Sequence, residues 1–328
     1  MQETTIRGLA TTSVSAPSRR HEIRGVRHFM RLLVKQRALV LMSVPFVIWL
    51  FIFRYVPLWG WLMAFQDFRP GKSIWEQTWV GFKHFAFLFN DPGFYRVMRN
   101  TLAMSVINLV LGFTTAITLA LLLNELKNLL FKRIVQTISY LPHFISWVVA
   151  SSIIMSALHP EGGIVNELLV WLGVIDKPVL WLGKGEYFWW IYGLSEIWKN
   201  LGWNTIVYLA AIAMIDPSLY EAAEIDGAGR FRKMWHITLP GIRPVIILLL
   251  IMNVGHLLEF GFEPQYLLMN PMNIDYAESL DIFVLRYGIN LFNFSFATAA
   301  GIFKTVVSFI LLFSANYLAK RLGQARLF

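Results

Sequence analysis

Long uninterrupted apolar runs dominate the pattern along this 328-residue chain, in place of the alternation of soluble strands or the one-sided stripes of soluble helices. A helix needs roughly 20 apolar residues to cross about 30 Å of bilayer hydrocarbon, and six stretches meet that requirement. Residues 38–56 are apolar up to Arg54, with Pro45 expected to kink them. Residues 101–124 and 134–158 carry no formal charge, the second holding only His143 beside Pro142. Residues 187–215 are long but include Glu196 and Lys199. Residues 245–263 begin cleanly and end with His256, Glu259 and Glu263, and residues 297–318 hold one charge, Lys304. The pattern predicts an all-α, polytopic membrane protein with six transmembrane helices. The 57–99 connection is rich in aromatics (among them Trp59, Trp61, Trp75, Trp79 and Phe82) and is expected to lie along the membrane surface, at headgroup level.

Composition narrows the class. The chain is 56% hydrophobic and only 15% charged, which excludes an ordinary soluble enzyme and a disordered chain. The formal charge of +9 would suggest nucleic acid on a soluble protein; here it marks loops held on the cytoplasmic side, and no nucleic-acid partner is expected. With the N-terminus inside, the inner segments hold 18 Lys and Arg and the outer segments 8, so the bias predicts N-in, C-in and an even number of spans. Cysteine is absent, which excludes disulfides and thiolate metal sites. Residues 1–37 carry eight Lys and Arg with no apolar core, so a cleaved signal peptide is not expected. Two readings stay open for this basic arm: an amphipathic stretch on the inner leaflet, or a solvated tail. The organisation expected is a cytoplasmic arm over 1–37 and a membrane domain over 38–328 with an inner loop at 216–243.

That inner loop carries the most specific pattern. Pro217 and Ser218 start a short helix, with Glu221 and Glu224 expected near its positive end. Ala222 and Ala223 offer a smooth face for close approach, and Gly227 and Gly229 are expected to end the helix in the left-handed conformation. A second amphipathic segment runs through Arg230, Phe231, Trp235 and Ile237, and Pro240 opens the next span. A small helix joined stiffly to two membrane helices suits the transmission of force.

The loop resembles the EAA motif of permeases of binding-protein-dependent ABC importers. Glu221-Ala222-Ala223, three residues, Gly227, nine residues, Ile237, one residue and Leu239-Pro240 match at every position. Trp79-Val80-Gly81-Phe82, Arg99-Asn100-Thr101-Leu102, Leu141-Pro142 and the run from Phe294 to Thr305 extend the likeness to carbohydrate permeases. The nearest subgroup imports oligosaccharides and polysaccharides and includes the alginate importer. The resemblance implies the type I importer permease fold in a bacterial inner membrane. It implies a second, homologous but unlike permease, two cytoplasmic ATPases and an external sugar-binding protein. Contact with the ATPase would fall to Glu221, Ala222, Ala223, Asp226 and Gly227, with Arg230 and Arg232 as additions. The chain has no phosphate-binding Gly-x-x-x-x-Gly-Lys-Ser/Thr loop and no hydrolase motif, so it is expected to be a transport subunit rather than an enzyme, binding no cofactor itself and leaving ATP and Mg to its partners.

Polar residues inside spans are costly and mark partners or watery cavities. Glu196, Asn200 and Asn204 recur every four residues on one helical face, with Trp203 adjacent and Lys199 beside them. Asn253, His256 and Glu259/Phe260 form a second stripe, Lys304 sits in the sixth span and Asn108 in the second. These groups suit a sugar path; they also suit structural pairing, with Lys199 or Lys304 opposite Glu196 or Glu259, or a permease–permease interface. The three basic groups Lys199, His256 and Lys304 would tolerate an anionic saccharide such as alginate. Trp189 and Trp190 are expected as membrane-interface anchors. A proton-coupled secondary sugar transporter is the competing reading; it predicts inverted repeats, which the sequence does not display, and leaves the Glu221–Pro240 spacing unexplained.

Overall fold

The computed structural model describes residues 35–259 and 261–323. Most of the expected basic arm therefore lies outside the described residues, as does Phe260. The chain divides into two compact units, residues 1–59 and 60–328.

In the first unit, α1 (Arg37–Leu50) runs into a π-helical turn at Phe51–Tyr55. It contains Pro45, which cannot donate to the helix ladder. None of its residues is buried. The rings of Trp49 and Phe53, four residues apart, sit 5.6 Å centre to centre. In sequence a 3-10 segment, Val56–Phe65, follows and passes the unit boundary after Trp59; the stretch Arg37–Phe65 is long and apolar enough to cross a membrane.

In the second unit, β1 (Gln66–Asp67) and β2 (Thr78–Trp79) form a minimal antiparallel hairpin. Two helices come next, α2 (Lys83–Asn90) and the long α3 (Pro92–Glu125), which begins with Pro92 behind an Asp91 cap. They lead to α4 (Leu129–Tyr140), α5 (Trp147–Ala157), α6 (Ile164–Trp171) and α7 (Phe188–Ala213). After α8 (Pro217–Ile225), one continuous helix starts as α9 (Arg230–Lys233), passes a π turn at Met234–Thr238 and becomes α10 (Leu239–Gly255). Short helices α11 (Phe262–Leu268), α12 (Ile274–Ala277) and α13 (Leu280–Leu285) precede α14 (Phe294–Arg321).

Among the described residues four helical stretches are long and apolar enough to span a bilayer, and counting each of two bent pairs as one span brings the number to six. The third expected span is not straight. The arm formed by α4 and the 3-10 turn at Leu141–Phe144 meets α5 at 106°. Pro142 and the extended Ser146, which caps α5 by accepting from the Val149 amide, break the ladder there. The fifth span is displaced from its expected bounds: the continuous helix runs from Arg230 to Gly255, and Glu263 belongs to the separate α11, entered through Gly261 at φ +76°.

α3 and α7 form the most extensive helix pair. They approach closely because Gly193 faces Ile107; a Cβ there would lie 2.6 Å from the isoleucine methyl. α4 lies on α7 at Gly202, where a Cβ would fall 2.2 Å from the Ser139 carbonyl oxygen. One apolar cluster (Ala116, Ala120, Tyr208, Ile212 and Ile242) joins α3, α7 and α10. A second, with Met104, Phe188, Tyr192 and Leu268, joins α3, α7 and α11. The 270–286 connection is tied to α3 by polar bonds. Asn100 donates to the carbonyls of Asp275 and Glu278, and Arg96 and Arg286 both pair with the fully buried Glu278. Burial raises the pKa of that carboxyl, and the two guanidinium groups oppose the rise.

The connection from α5 to α7 hangs on one buried amide. Asn166 Nδ2 donates to the carbonyls of His159 and Val179 at 3.0 Å, while its Oδ1 accepts from the Val179 amide at 2.9 Å and Trp181 Nε1 at 3.0 Å.

Candidate functional site

Two features share a pair of helices: a polar cavity that they wall together with a third helix, and an exposed loop that joins them at one end. The cavity, about 350 Å³, lies among α3, α7 and α10. α7 contributes Glu196, Asn200, Asn204 and Tyr208, four residues apart and so on one face. Asn108, Gly112 and Phe113 come from α3, and Leu249 and Asn253 from α10. Three of its asparagine amides, at 108, 204 and 253, thus stand with one carboxylate and two aromatic rings around a space of small-ligand size. Neither Lys nor Arg lines it.

The elbow between α4 and α5 backs this wall. Asn200 Nδ2 donates to Glu196 Oε2 at 2.7 Å, and its Oδ1 lies 3.0 Å from His143 Nδ1. A carboxylate only accepts, so the amide presents its nitrogen to Glu196 and its oxygen accepts a hydrogen bond from the imidazole N–H. The His143 ring in turn stacks on Trp203, with centroids 4.5 Å apart and planes 5° from parallel. Lys199 turns away from the cavity. Its ammonium donates to the His143 carbonyl at 2.8 Å and stands 5.4 Å from the Trp147 ring. A cation thereby meets carbonyls that the break at Pro142 exposes at the negative end of α4.

The structure thus gathers Glu196, Asn200, Asn204 and Asn253 from the expected path residues, together with Asn108, and separates the others. Trp203 stacks behind the wall. His256 pairs with Glu259 at 2.9 Å beyond the end of α10, beside α14 rather than in the cavity. Because α10 has ended, the expected stripe does not continue past Asn253 on one helix face. Lys304 pairs with Asp281 at 2.5 Å, not with Glu259, and Lys199 meets backbone rather than Glu196. Trp189 donates Nε1–H to the Tyr276 carbonyl at 2.9 Å and is a packing residue, whereas Trp190 is exposed. Tyr208 was legible as the next fourth residue after Asn204; Phe113 and Leu249 carry no sequence signal that separates them from ordinary packing residues.

The loop at the end of α7 forms the short helix expected of it. The α7 axis turns by 71° into α8. Asp216 caps α8 by accepting from the Ser218 amide, and that bond holds its carboxyl below the usual carboxylate range. The cap is Asp216 alone: Glu221 and Glu224 lie beyond the first turn, contrary to the placement expected near the positive end. Gly227 closes α8 at φ +74°, with its amide bonded to the Glu224 carbonyl and the Ala228 amide to the Ala223 carbonyl. Gly229 is not left-handed; at φ −69° it stands at the N-cap of α9. Glu221, Ala222, Asp226, Gly227, Arg230 and Arg232 are all exposed, and Ala223 is half-buried.

Two bonds fasten the small helix to the second leg of the loop. Tyr220 and Thr238 share a hydroxyl hydrogen bond of 3.0 Å, and Lys233 pairs with Glu224 at 3.1 Å. At the root, a Cβ on Gly241 would fall 2.6 Å from the Ile215 side chain, so the two legs of the loop touch. The cluster around Ile212 and Ile242 continues that contact into α3.

Residues 108–324 match the family of binding-protein-dependent transport system inner membrane components. The polygalacturonan/rhamnogalacturonan transport system permease protein YteP of Bacillus subtilis is 48% identical over 292 residues, covering 89% of this chain and 90% of its own. The lactose transport system permease protein LacF of Rhizobium radiobacter is 31% identical over 71% of this chain and 78% of its own. Among solved structures, a chain of a bacterial ABC transporter that imports the acidic polysaccharide alginate superposes with TM-score 0.83 at 40% identity, over 90% of this chain and 99% of that one. A chain of the bacterial alginate ABC transporter in complex with its pentasaccharide-bound periplasmic protein gives TM-score 0.84 at 39% identity, over 92% and 100%.

Proposed function

The chain belongs to the family of binding-protein-dependent transport system inner membrane components, and from that premise we propose that it is the permease subunit of an ATP-driven importer of acidic oligo- or polysaccharides. The observation that carries this reading is the shared framework of cavity and loop. α7 and α10 supply two walls of the cavity and are also the two legs from which the exposed 216–243 loop hangs. A push on the loop therefore moves the cavity walls directly. The 216–243 loop faces the cytoplasm, with both termini on that side. Glu221, Ala222, Ala223, Asp226 and Gly227 meet an ATPase, flanked by Arg230 and Arg232, and that partner holds ATP and Mg.

In this reading the sugar passes Glu196, Asn204, Asn253 and Asn108. Their carbonyl and carboxylate oxygens accept from saccharide hydroxyls, amides donate to ring and hydroxyl oxygens, and Phe113 and Tyr208 give apolar faces to the sugar rings. The acidic substrate class is taken from the relatives named for polygalacturonan and alginate. Since no basic side chain lines this wall, the carboxylates of such a sugar are met by a second, unlike permease across the path. An external binding protein delivers the saccharide.

Purification of the tagged chain in mild detergent should bring down a chain with a phosphate-binding Gly-x-x-x-x-Gly-Lys-Ser/Thr loop. Vesicles containing the complex, with binding protein, should accumulate labelled oligogalacturonate or alginate oligosaccharide only with ATP. Gly227→Trp should abolish that uptake while leaving membrane insertion intact. Uptake that persists without ATP, or with the loop scrambled, overturns the proposal.

A further inference from the structure

The connection between α5 and α7 presents an apolar surface that neither the cavity nor the loop uses. α6 turns Val165, Asn166 and Leu169 toward the protein and leaves Ile164, Leu168 and Trp171 outward, 68%, 52% and 80% exposed. At 3.6 residues per turn these three fall on one narrow stripe. Leu172 and Val174 extend it past the helix. The helix cannot roll to hide this face, because the Asn166 amide fixes it to the carbonyls of His159 and Val179. A face presented permanently is best matched by a partner that is permanently present.

The surroundings indicate which partner. Beneath α6 runs an apolar groove lined by Ile154, Leu158, Val165, Leu194 and Trp198. It leads onto the outward stripe of α7, Trp190, Leu194 and Trp198, again four residues apart and all exposed. α7, taken with α8 as one bent span, is long and apolar enough to cross a bilayer, and the α6 face continues its outward apolar surface. We infer that α6 is an interfacial anchor, seated with Ile164 and Leu168 among the upper acyl carbons of the bilayer and Trp171 at the headgroup boundary. This assignment rests on the α6 geometry and not on the transport reading.

The absence of cysteine from the sequence makes the test direct. Single-cysteine variants Leu168→Cys, Trp171→Cys and Asp176→Cys carry a nitroxide label in the full chain. They are purified with cysteine-free versions of their accompanying subunits and reconstituted in phosphatidylethanolamine/phosphatidylglycerol vesicles. Power saturation compares collision with apolar oxygen and with a water-soluble nickel chelate. Oxygen should dominate at 168 and 171 and the chelate at 176. Chelate dominance at 168 and 171 overturns the inference in favour of a solvated loop. Exclusion of both reagents with an immobilised spectrum overturns it in favour of a protein partner.

Discussion

Asn200 connects two chemistries that sit on different helices, the carboxylate of Glu196 facing the cavity and the imidazole of His143 on the elbow. His143→Phe keeps a ring on Trp203 and removes only the N–H, so the Asn200 amide loses what orients it. A hydrogen bond of about 1–1.5 kcal/mol corresponds to an uptake loss near tenfold. His143→Gln, which can donate again, should recover part of it, and equal uptake losses in both variants would refute the orienting role. Gly202→Ala acts on packing instead: its methyl would meet the Ser139 carbonyl, which α4 cannot withdraw cheaply. A destabilisation of about 1–3 kcal/mol should appear as a lower melting temperature in detergent. Gly227→Ala is the gentler case, with open space around the new methyl and a left-handed backbone as its one penalty, about 1–2 kcal/mol. The four-residue spacing of Glu196, Asn200 and Asn204 made this wall legible from sequence. Lys199 was not legible, because its partner is a backbone carbonyl released by a break on another helix.

Among the elements, the third span departs furthest from its expected form. Hydropathy sums apolar character along a stretch and has no direction, so a 106° turn inside residues 134–158 leaves the sum unchanged. Pro142 was the local signal; its consequence depended on Lys199 and Gly202 receiving the turn. Lys199→Met should leave the His143 carbonyl without a donor and cost about 1–3 kcal/mol, read as a melting shift that Lys199→Arg partly restores. The small hairpin gives a pH prediction. The hydrogen bond from Lys83, then the charges of Lys83 and His84, hold the Asp67 carboxyl below its ordinary value of 3.8. Its stabilising share is present above that value and disappears as pH falls through the lowered one. Amide exchange across β1 and β2, corrected for intrinsic rate, should accelerate in that acid window and stay flat above it.

For the whole molecule, the family and the all-helical membrane fold were readable from one loop and six apolar runs, while the way the helices divide labour was not. The cavity needs α3, α7 and α10 together, and their meeting is set by glycine contacts and by clusters that no single stretch announces. Tyr220→Phe tests the integrity of the assembly at this scale. It deletes the bond to Thr238 and should loosen the small helix from its second leg, lowering sugar transported per ATP hydrolysed more than ATP hydrolysis itself. The Asn166 clasp offers something of a different kind. It gathers the backbone at His159 and Val179, while Asp176 and Lys177 between them remain exposed. A short peptide epitope inserted after Asp176 would be carried on a closed handle, and antibody staining of intact cells against broken ones would then report on which face of the membrane that handle is displayed.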